Sequence, residues 1–480
     1  MYRCKNCYHG VDLEELNSAF QCPICGVEKE CFEEIKEDEE FKGIPIAFDN
    51  IAIRRINDKC INCGRCAFVC ENMVGVKYDK KQKHPICLNC GACIQNCPMG
   101  AIVPNYAYKK VLEAIEDPNK IVIVSTSPAV RFALGDIFNE PYGNDVEGKM
   151  VSALKELGFN YVLDTTFGAD LTTMEEATEF LDRIENKKRL PQFTSCCPSW
   201  VKYLEIYHPE LKDNLSSCKS PIGMQGSIVK TYFAKQNDLN PEDVIHVALT
   251  PCTAKKYEIS KDELNDSDDY NEMENMKDTD YVITTSELGL MLQEKGIDFS
   301  NLLPKTFDSI MNKGSSGGLL FGHHTGVTTS LIRTLHYLIT KEDLDDDLKF
   351  ENQDEHIKTL EIKIGDYNLR VAIIEGLLKA EKILDNLDKY DLIEVMNCIG
   401  GCIGGGGQPL NPINEKEEVL KAREKGIINS SDNDIIRASY QNPDIKRIYK
   451  EFLEQPNSKI SKTLLHTFYQ DRSYLLEKEK

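Results

Sequence analysis

Residues 392–409 read LIEVMNCIGGCIGGGGQP: an apolar run ending at Met396, then Cys398 and Cys402, then a turn built almost wholly of glycine. A short apolar run bounded by glycine reads as a buried strand, and the turn behind it sets both thiols at the strand's carboxyl end. Five more such runs, KIVIVST (120–126), YVLDTT (161–166), VIHVALT (244–250), YVITT (281–285) and LRVAII (369–374), alternate with helical stretches such as MEEATEFLDR (174–183) and LKAEKILDNL (378–387). That alternation predicts a large α/β body. Two other segments beside strand-like runs carry cysteine: QFTSCCPSW (192–200) holds Cys196 and Cys197, and VALTPCTAKKYE (247–258) holds Cys252. Ligands of open α/β sheets gather at the carboxyl ends of strands, so three segments can deliver these thiols to one cavity. The glycines between Gly400 and Gly407 carry no Cβ, let backbone approach a bulky inorganic group and offer N–H donors to it. Any one motif alone reads as a turn with buried free cysteines; three together point to a shared cluster.

At about 150 residues per domain, 480 residues suggest three domains and at least one large core. Acidic residues outnumber basic ones 78 to 57, a net charge of −21, and a nucleic-acid face would have to form against that field. The opening MYRCKNCYHG lacks a basic stretch followed by an apolar one, and no apolar run approaches the roughly 18 residues of a membrane span, so a soluble, cytoplasmic chain is expected. Nineteen cysteines, an odd number set in CxxC and CxxCxxC spacings, fit metal or cluster ligation better than disulfides.

Cys4, Cys7, Cys22 and Cys25 form two CxxC knuckles that suit one tetrahedral ion. FQCPICGVEKECFEEI (20–35) resembles the second knuckle of a rubredoxin-like domain, which favours iron, with a structural zinc ribbon as the alternative; Cys31 stands aside. The charged stretch EEIKEDEEFKG (33–43) reads as a linker. Beyond it the CxxCxxCxxxC run appears twice, and in such pairs each 4Fe-4S cluster takes three cysteines of one run and the fourth of the other. One cluster then belongs to Cys60, Cys63, Cys66 and Cys97, and the second to Cys87, Cys90, Cys93 and Cys70, with Pro98 behind. Two cubanes held close serve electron relay. The acidic stretches 262–280 and 341–355 read as surface insertions, with a docking patch as the other reading, and the tail from about 434 reads as helical.

TSCCPSW, TPCTAKKYE and EVMNCIGGCIGGGGQP, in that order, resemble the three signature motifs of FeFe-hydrogenases; the double cysteine run resembles the family's accessory ferredoxin-like domain, and LLHTFY (464–469) its small-subunit-like tail. The resemblance implies a multidomain α+β and α/β protein. Residues 1–45 would be a rubredoxin-like mononuclear metal domain, 46–110 a ferredoxin-like domain with two 4Fe-4S clusters, 111–430 the H-cluster catalytic domain and 431–480 a helical extension. It implies a 4Fe-4S cubane held by Cys197, Cys252, Cys398 and Cys402, with Cys402 bridging to a diiron unit that carries CO, cyanide and an azadithiolate. It leaves Cys196 free as proton donor, and Glu176, Ser216, Glu179 and Arg183 match the family's proton path. Without the resemblance, the Glu176, Glu179 and Arg183 face reads as an exposed charged face with a salt bridge. Lys255 matches the lysine that meets one cyanide, Ser127 and Pro128 lie near the other, and Met396 matches a pocket methionine.

The implied reaction is 2H⁺ + 2e⁻ ⇌ H₂. A small redox protein such as ferredoxin would exchange electrons, and hydrogenase maturation proteins would insert the diiron unit. A hydrogen sensor and an iron-sulfur assembly relative are the competing readings; Cys196 argues against the first, and Cys402, Lys255 and the carboxylates against the second. Ser199, Thr250, Ile222 and Cys218 stand where the best-described branch has Gly, Met, Gln and Ala, which points to a less-studied branch.

Overall fold

The computed structural model describes residues 2–4, 10–11, 16–17, 21, 27–34, 41–77, 79, 85–308, 310–311, 313–344, 348–412 and 414–478. Among these, no helix is long and apolar enough to cross a membrane. All six apolar runs become strands, divided between two sheets. Ile121–Thr126 (β6), Tyr161–Asp164 (β7), Val244–Thr250 (β9) and Tyr281–Thr284 (β10) form a parallel sheet in the order β10-β9-β6-β7. Parallel strands are covered on both faces, which is why these runs are continuously apolar rather than alternating. Leu154, Val162, Val247, Leu249 and Ile283 share one core there.

The second sheet is mixed, in the order β11-β12-β13-β14-β8: Glu351–Asp354 (β11), Ile357–Ile364 (β12), Tyr367–Glu375 (β13), Leu392–Met396 (β14) and Gln192–Phe193 (β8). Strands β13, β14 and β8 run parallel, while β11, β12 and β13 form an antiparallel meander. Gly365, at φ +58°, makes the two-residue turn between β12 and β13, a conformation a side chain would strain. The meander corrects the expectation for residues 341–355: part of that acidic stretch is an edge strand. The other acidic stretch is also more than an insertion. Its Asp278 is buried 2.8 Å from the ammonium of Lys219, itself fully buried, and Asp266 lies 2.6 Å from the same group. A buried lysine needs such partners, and the nearest acids in sequence pattern gave no sign of it.

The long helix Thr166–Asn186 packs against Pro221–Ile228. Ile445, Ile448, Tyr449, Leu453, Leu464 and Leu465 of the tail enter the core around Phe167 and Phe233, so the tail is helical, as expected, and integral to the body. Upstream, Ile53–Arg55 (β4) and Ile102–Pro104 (β5) pair antiparallel and bracket the double cysteine run. The repeat in sequence is a repeat in backbone: Asn62 and Gly64 have φ of +54° and +74°, and Asn89 and Gly91 have +59° and +74°. Leu88, Val74 and Val76 share a core with Trp200 and Val395, which docks this region on the body. Tyr2–Cys4 (β1), Gly10–Val11 (β2) and Phe32–Glu34 (β3) make a small antiparallel sheet. Cys7, Cys22 and Cys25 of the expected mononuclear site lie outside the described residues; Cys4 ends β1.

Candidate active site

The carboxyl ends of β6, β8, β9 and β14 converge on a cavity lined by Cys197, Cys252, Cys398 and Cys402. Each thiol leaves its strand by a turn the sequence dictates. Pro198 starts the helix Pro198–Tyr207 just after Cys197, Pro251 breaks β9 before Cys252, and Gly400 and Gly401, at φ +77° and +80°, fold the chain between Cys398 and Cys402. Burial first, and then the neighbouring thiols, push Cys252 up to about 11, Cys402 up to about 12 and Cys398 well above the ordinary thiol value. Iron takes such thiols as thiolate ligands and supplies the missing positive charge. Gly401 and Gly405 line the same cavity and leave room for a bulky group. The donor set and the space left by the glycines fit a cubane-based cofactor.

The remaining residues expected at the centre are there. Ser127 and Pro128, at the end of β6, line the cavity, as do Met396, the last residue of β14, and Cys196. Lys255 donates to the Cys196 carbonyl at 3.0 Å and to Glu258 Oε2 at 2.6 Å. Burial opposes its charge, but Glu258, Cys252 and Cys196 outweigh that and hold its pKa above the usual lysine value. It is a fixed cation facing a thiol-lined cavity.

Glu176, Glu179 and Arg183 do not form an exposed face. Glu176 and Arg183 are buried, and Glu179 is only slightly open. Ser216 Oγ donates to Glu179 Oε2 at 2.8 Å, and Arg183 Nη2 donates to Glu179 Oε1 at 2.7 Å. Burial, then the Glu179 charge, raises the Glu176 carboxyl to about 8, and its Oε1 has no partner. The Cys196 thiol is raised well above its ordinary value by burial and next by Glu176. A thiol, a neutral acid, a hydroxyl, a carboxylate and a guanidinium are thus arranged outward from the cavity.

Cys60, Cys63, Cys66 and Cys97 surround one cavity of about 360 Å³. Cys90 and Cys87 lie close enough to Cys70 and Cys93 to push those two thiols up, after burial itself. Cys60, Cys63, Cys66 and Cys97 are one of the two sets read from the spacing. Cys90 also lines the large cavity, which sequence reasoning missed. So are Asn397, Phe321 and Glu258 new to the site. Glu258 was within reach, three residues from Lys255 inside a quoted motif; Phe321 arrives from a distant segment without signal. Glu394, two residues before Met396 on β14, is buried with its carboxyl raised to about 7, mainly by burial. Among the departures, Thr250 Oγ1 turns back on the Cys252 carbonyl at 3.0 Å, Ile222 joins Ala248 and Val282 in a core, and Ser199 Oγ donates to the Leu88 carbonyl at 3.1 Å.

An α/β body that gathers four cluster-suited thiols at its strand ends, with cysteine-rich loops docked against them, has the donor set of an iron-sulfur protein. Residues 120–406 match the family described as iron only hydrogenase large subunit, C-terminal domain, and residues 417–472 the one described as iron hydrogenase small subunit. The chain belongs to the iron-only, or FeFe-, hydrogenase family. It is 37% identical over 453 residues to the NADP-reducing hydrogenase subunit HndD of Solidesulfovibrio fructosivorans, covering 88% of this chain and 75% of that one. A solved variant of the [FeFe]-hydrogenase HydA1 from Chlamydomonas reinhardtii matches 76% of this chain and 98% of its own, with 33% identity and a TM-score of 0.67. The chain is also similar to cytosolic iron-sulfur assembly component 3 of Pongo abelii, at 30% identity over 407 residues, 80% of this chain and 82% of that one.

Proposed function

We propose that this protein catalyses 2H⁺ + 2e⁻ ⇌ H₂ at a cubane-linked diiron centre. The observation that carries the reading is the meeting of Cys197, Cys252, Cys398 and Cys402 with Cys196 and Lys255 at one cavity, from which Glu176, Ser216, Glu179 and Arg183 lead away. Cys402 would bridge the cubane to the diiron unit, and that unit, when bound, supplies an open iron and a bridge amine between which H₂ is split or formed.

The chain's own residues handle the protons and the charge. Cys196 Sγ gives a proton to the reacting centre and takes one back from Glu176, whose raised pKa keeps it an acid near neutral pH. Glu176 is refilled through Ser216 Oγ and Glu179. Lys255, fixed by Glu258, donates to an anionic ligand, while Ser127 and Pro128 form the opposite wall and Met396 fills the space beside it. Two 4Fe-4S clusters, one held by Cys60, Cys63, Cys66 and Cys97 and the other by Cys70, Cys87, Cys90 and Cys93 of a ferredoxin-like region, would supply electron relay, and Cys90 also lines the catalytic cavity. Cys4, Cys7, Cys22 and Cys25 would add a rubredoxin-like iron or a zinc. A ferredoxin-type protein is the outside partner, and maturation proteins supply the diiron unit.

The second reading, an assembly factor that carries clusters without a diiron unit, is favoured by the 30% identity to the assembly component. Cys196 and the buried carboxylate path have no use in that role. Infrared bands of CO and cyanide in matured protein, together with hydrogen evolution, support the first reading; cubanes alone after full maturation support the second.

A further inference from the structure

One buried cluster of metal-suited side chains lies outside the cavity. Glu179 from the helix Thr166–Asn186, Cys218 from the loop before Pro221–Ile228, and His466 just after the helix Lys459–Leu465 each offer a ligand atom, and all three atoms lie within 4.8 Å of one another. Their backbones are locked. Cys218 and His466 face each other across an antiparallel bridge, closed by Lys219 N donating to Leu465 O at 2.8 Å and Thr467 N to Ser217 O at 2.7 Å.

The imidazole is oriented as a ligand would be. His466 Nε2 lies 3.1 Å from Glu175 Oε2, and Glu175 is itself held by Tyr449 OH at 2.6 Å and Asn457 N at 2.7 Å. A carboxylate behind a histidine fixes the ring and raises the basicity of its other nitrogen. That nitrogen, Nδ1, is on the Glu179 side: Ser217 Oγ lies 2.7 Å from it and 3.1 Å from Glu179 Oε1. Cys218 Sγ is 3.8 Å from Glu179 Oε2. Tetrahedral zinc bonds of about 2.0–2.3 Å place ligand atoms roughly 3.4–3.8 Å apart, so the Cys218–Glu179 spacing suits one ion, which would displace the Ser217 hydroxyl that now bridges Glu179 and the imidazole. A small pocket lined by Cys218, Thr467, Tyr469 and the exposed Phe468 opens beside the site. The other described histidine group, His323, His324 and Glu424, has no thiol, and its His324 Nε2 is in contact with Lys358 Nζ.

We propose that Glu179, Cys218 and His466 bind a divalent transition-metal ion of the zinc type, and that the filled site closes the proton route. The donors are one thiolate, one imidazole and one carboxylate, with water in the fourth position, a set that selects zinc-like ions over calcium or magnesium. Binding releases the Cys218 thiol proton to solvent, with no change of oxidation state. It also engages Glu179, the acceptor of the Ser216 hydroxyl and partner of Arg183, so protons can no longer pass. The closing role rests on the proton path proposed above; the binding itself does not.

The test uses the full chain with its iron-sulfur clusters and without the diiron unit, titrated with Zn²⁺ and, as a coloured probe, Co²⁺. At about 10 µM free Zn²⁺ the wild type should hold one equivalent more than Cys218→Ala or His466→Gln at equal iron content. The Co²⁺ form should show thiolate charge-transfer absorption that Cys218→Ala lacks. After loading with the diiron unit, Zn²⁺ should slow wild-type turnover at least about tenfold, reversibly with a chelator, and leave Cys218→Ala at its metal-free rate. Equal zinc stoichiometry in all three proteins overturns the site; normal turnover with the site filled overturns the closing role. Loaded protein that is dead without zinc, yet shows the binding difference, keeps the site and rejects the hydrogenase reading.

Discussion

Gly406 is packed directly on Gly91: a Cβ built on Gly406 would lie 2.6 Å from the Gly91 Cα and closer still to the carbonyl oxygen of Cys90. The glycine-rich turn after Cys402 is therefore a joint between the catalytic cavity and the second cysteine run. Gly91 is held in the left-handed region, at φ +74°, where it starts the short helix Ala92–Gln95. The two backbones meet directly there.

Gly406→Ala forces backbone against backbone, so the joint must open. Overpacking of this kind costs about 1–3 kcal/mol. Thermal unfolding should begin at lower temperature, and electron delivery to the catalytic cubane, followed by stopped-flow absorbance with a reduced viologen, should slow. Unchanged values in both would mean that the two regions are not tightly joined.

Cys196→Ala removes an acid and no ligand. Turnover should fall about 10²-fold or more, with iron content and the infrared bands of the diiron unit retained. Cys402→Ala should instead lose the diiron unit. A near wild-type rate in Cys196→Ala would move the proton donor elsewhere.

Glu176 adds a pH dependence of known sign. Its carboxyl ionises near 4.5 in an unfolded chain and at about 8 in the folded one. Between those values the folded protein keeps a proton that the unfolded chain has lost, so wild-type stability declines as pH rises through this window and levels off above it. The Tm of Glu176→Gln, which cannot ionise, should gain on the wild type from about pH 5 to pH 8 and then run parallel. In the wild type, proton reduction should fade above about pH 8 as the acid form is lost. Parallel Tm curves throughout would show that Glu176 is ionised in the fold.

Much of this was legible in the sequence because cysteine spacing is a geometric statement. Runs such as CINCGRCAFVC and CLNCGACIQNC predict which thiols come together, and the structure gathers Cys97 with Cys60, Cys63 and Cys66. The strand-end motifs were equally readable. Long-range packing was not. Periodicity cannot show that Glu176 and Arg183 are buried, because a charged helical face looks alike in solvent or beneath another segment, and here Ser216 and Leu215 cover it. Asp278 read as surface because its partner, Lys219, lies far off in sequence. Cys90's place on the catalytic cavity follows from a glycine-to-glycine contact that no local signal encodes.

The loop of Cys196 is pinned by Ser199, whose hydroxyl donates to Leu88 O at 3.1 Å. Oxidised iron is a good acceptor for a nearby thiolate, so movement of this loop would let Cys196 close the open site reversibly. Ser199→Gly should release the loop and speed entry into such an inactive state, seen by infrared after mild oxidation, and Cys196→Ala should abolish it. An identical inactive spectrum in the alanine variant would remove Cys196 from this role.

The most direct measurement starts from purified protein that carries its cubanes but was made without maturation proteins. It should evolve no hydrogen from a reduced viologen. Loading with the diiron unit should bring infrared bands of CO and cyanide together with hydrogen evolution, and Cys196→Ala should show the same bands with little gas. A wild type that is fully loaded by its infrared spectrum and evolves no hydrogen would contradict the account.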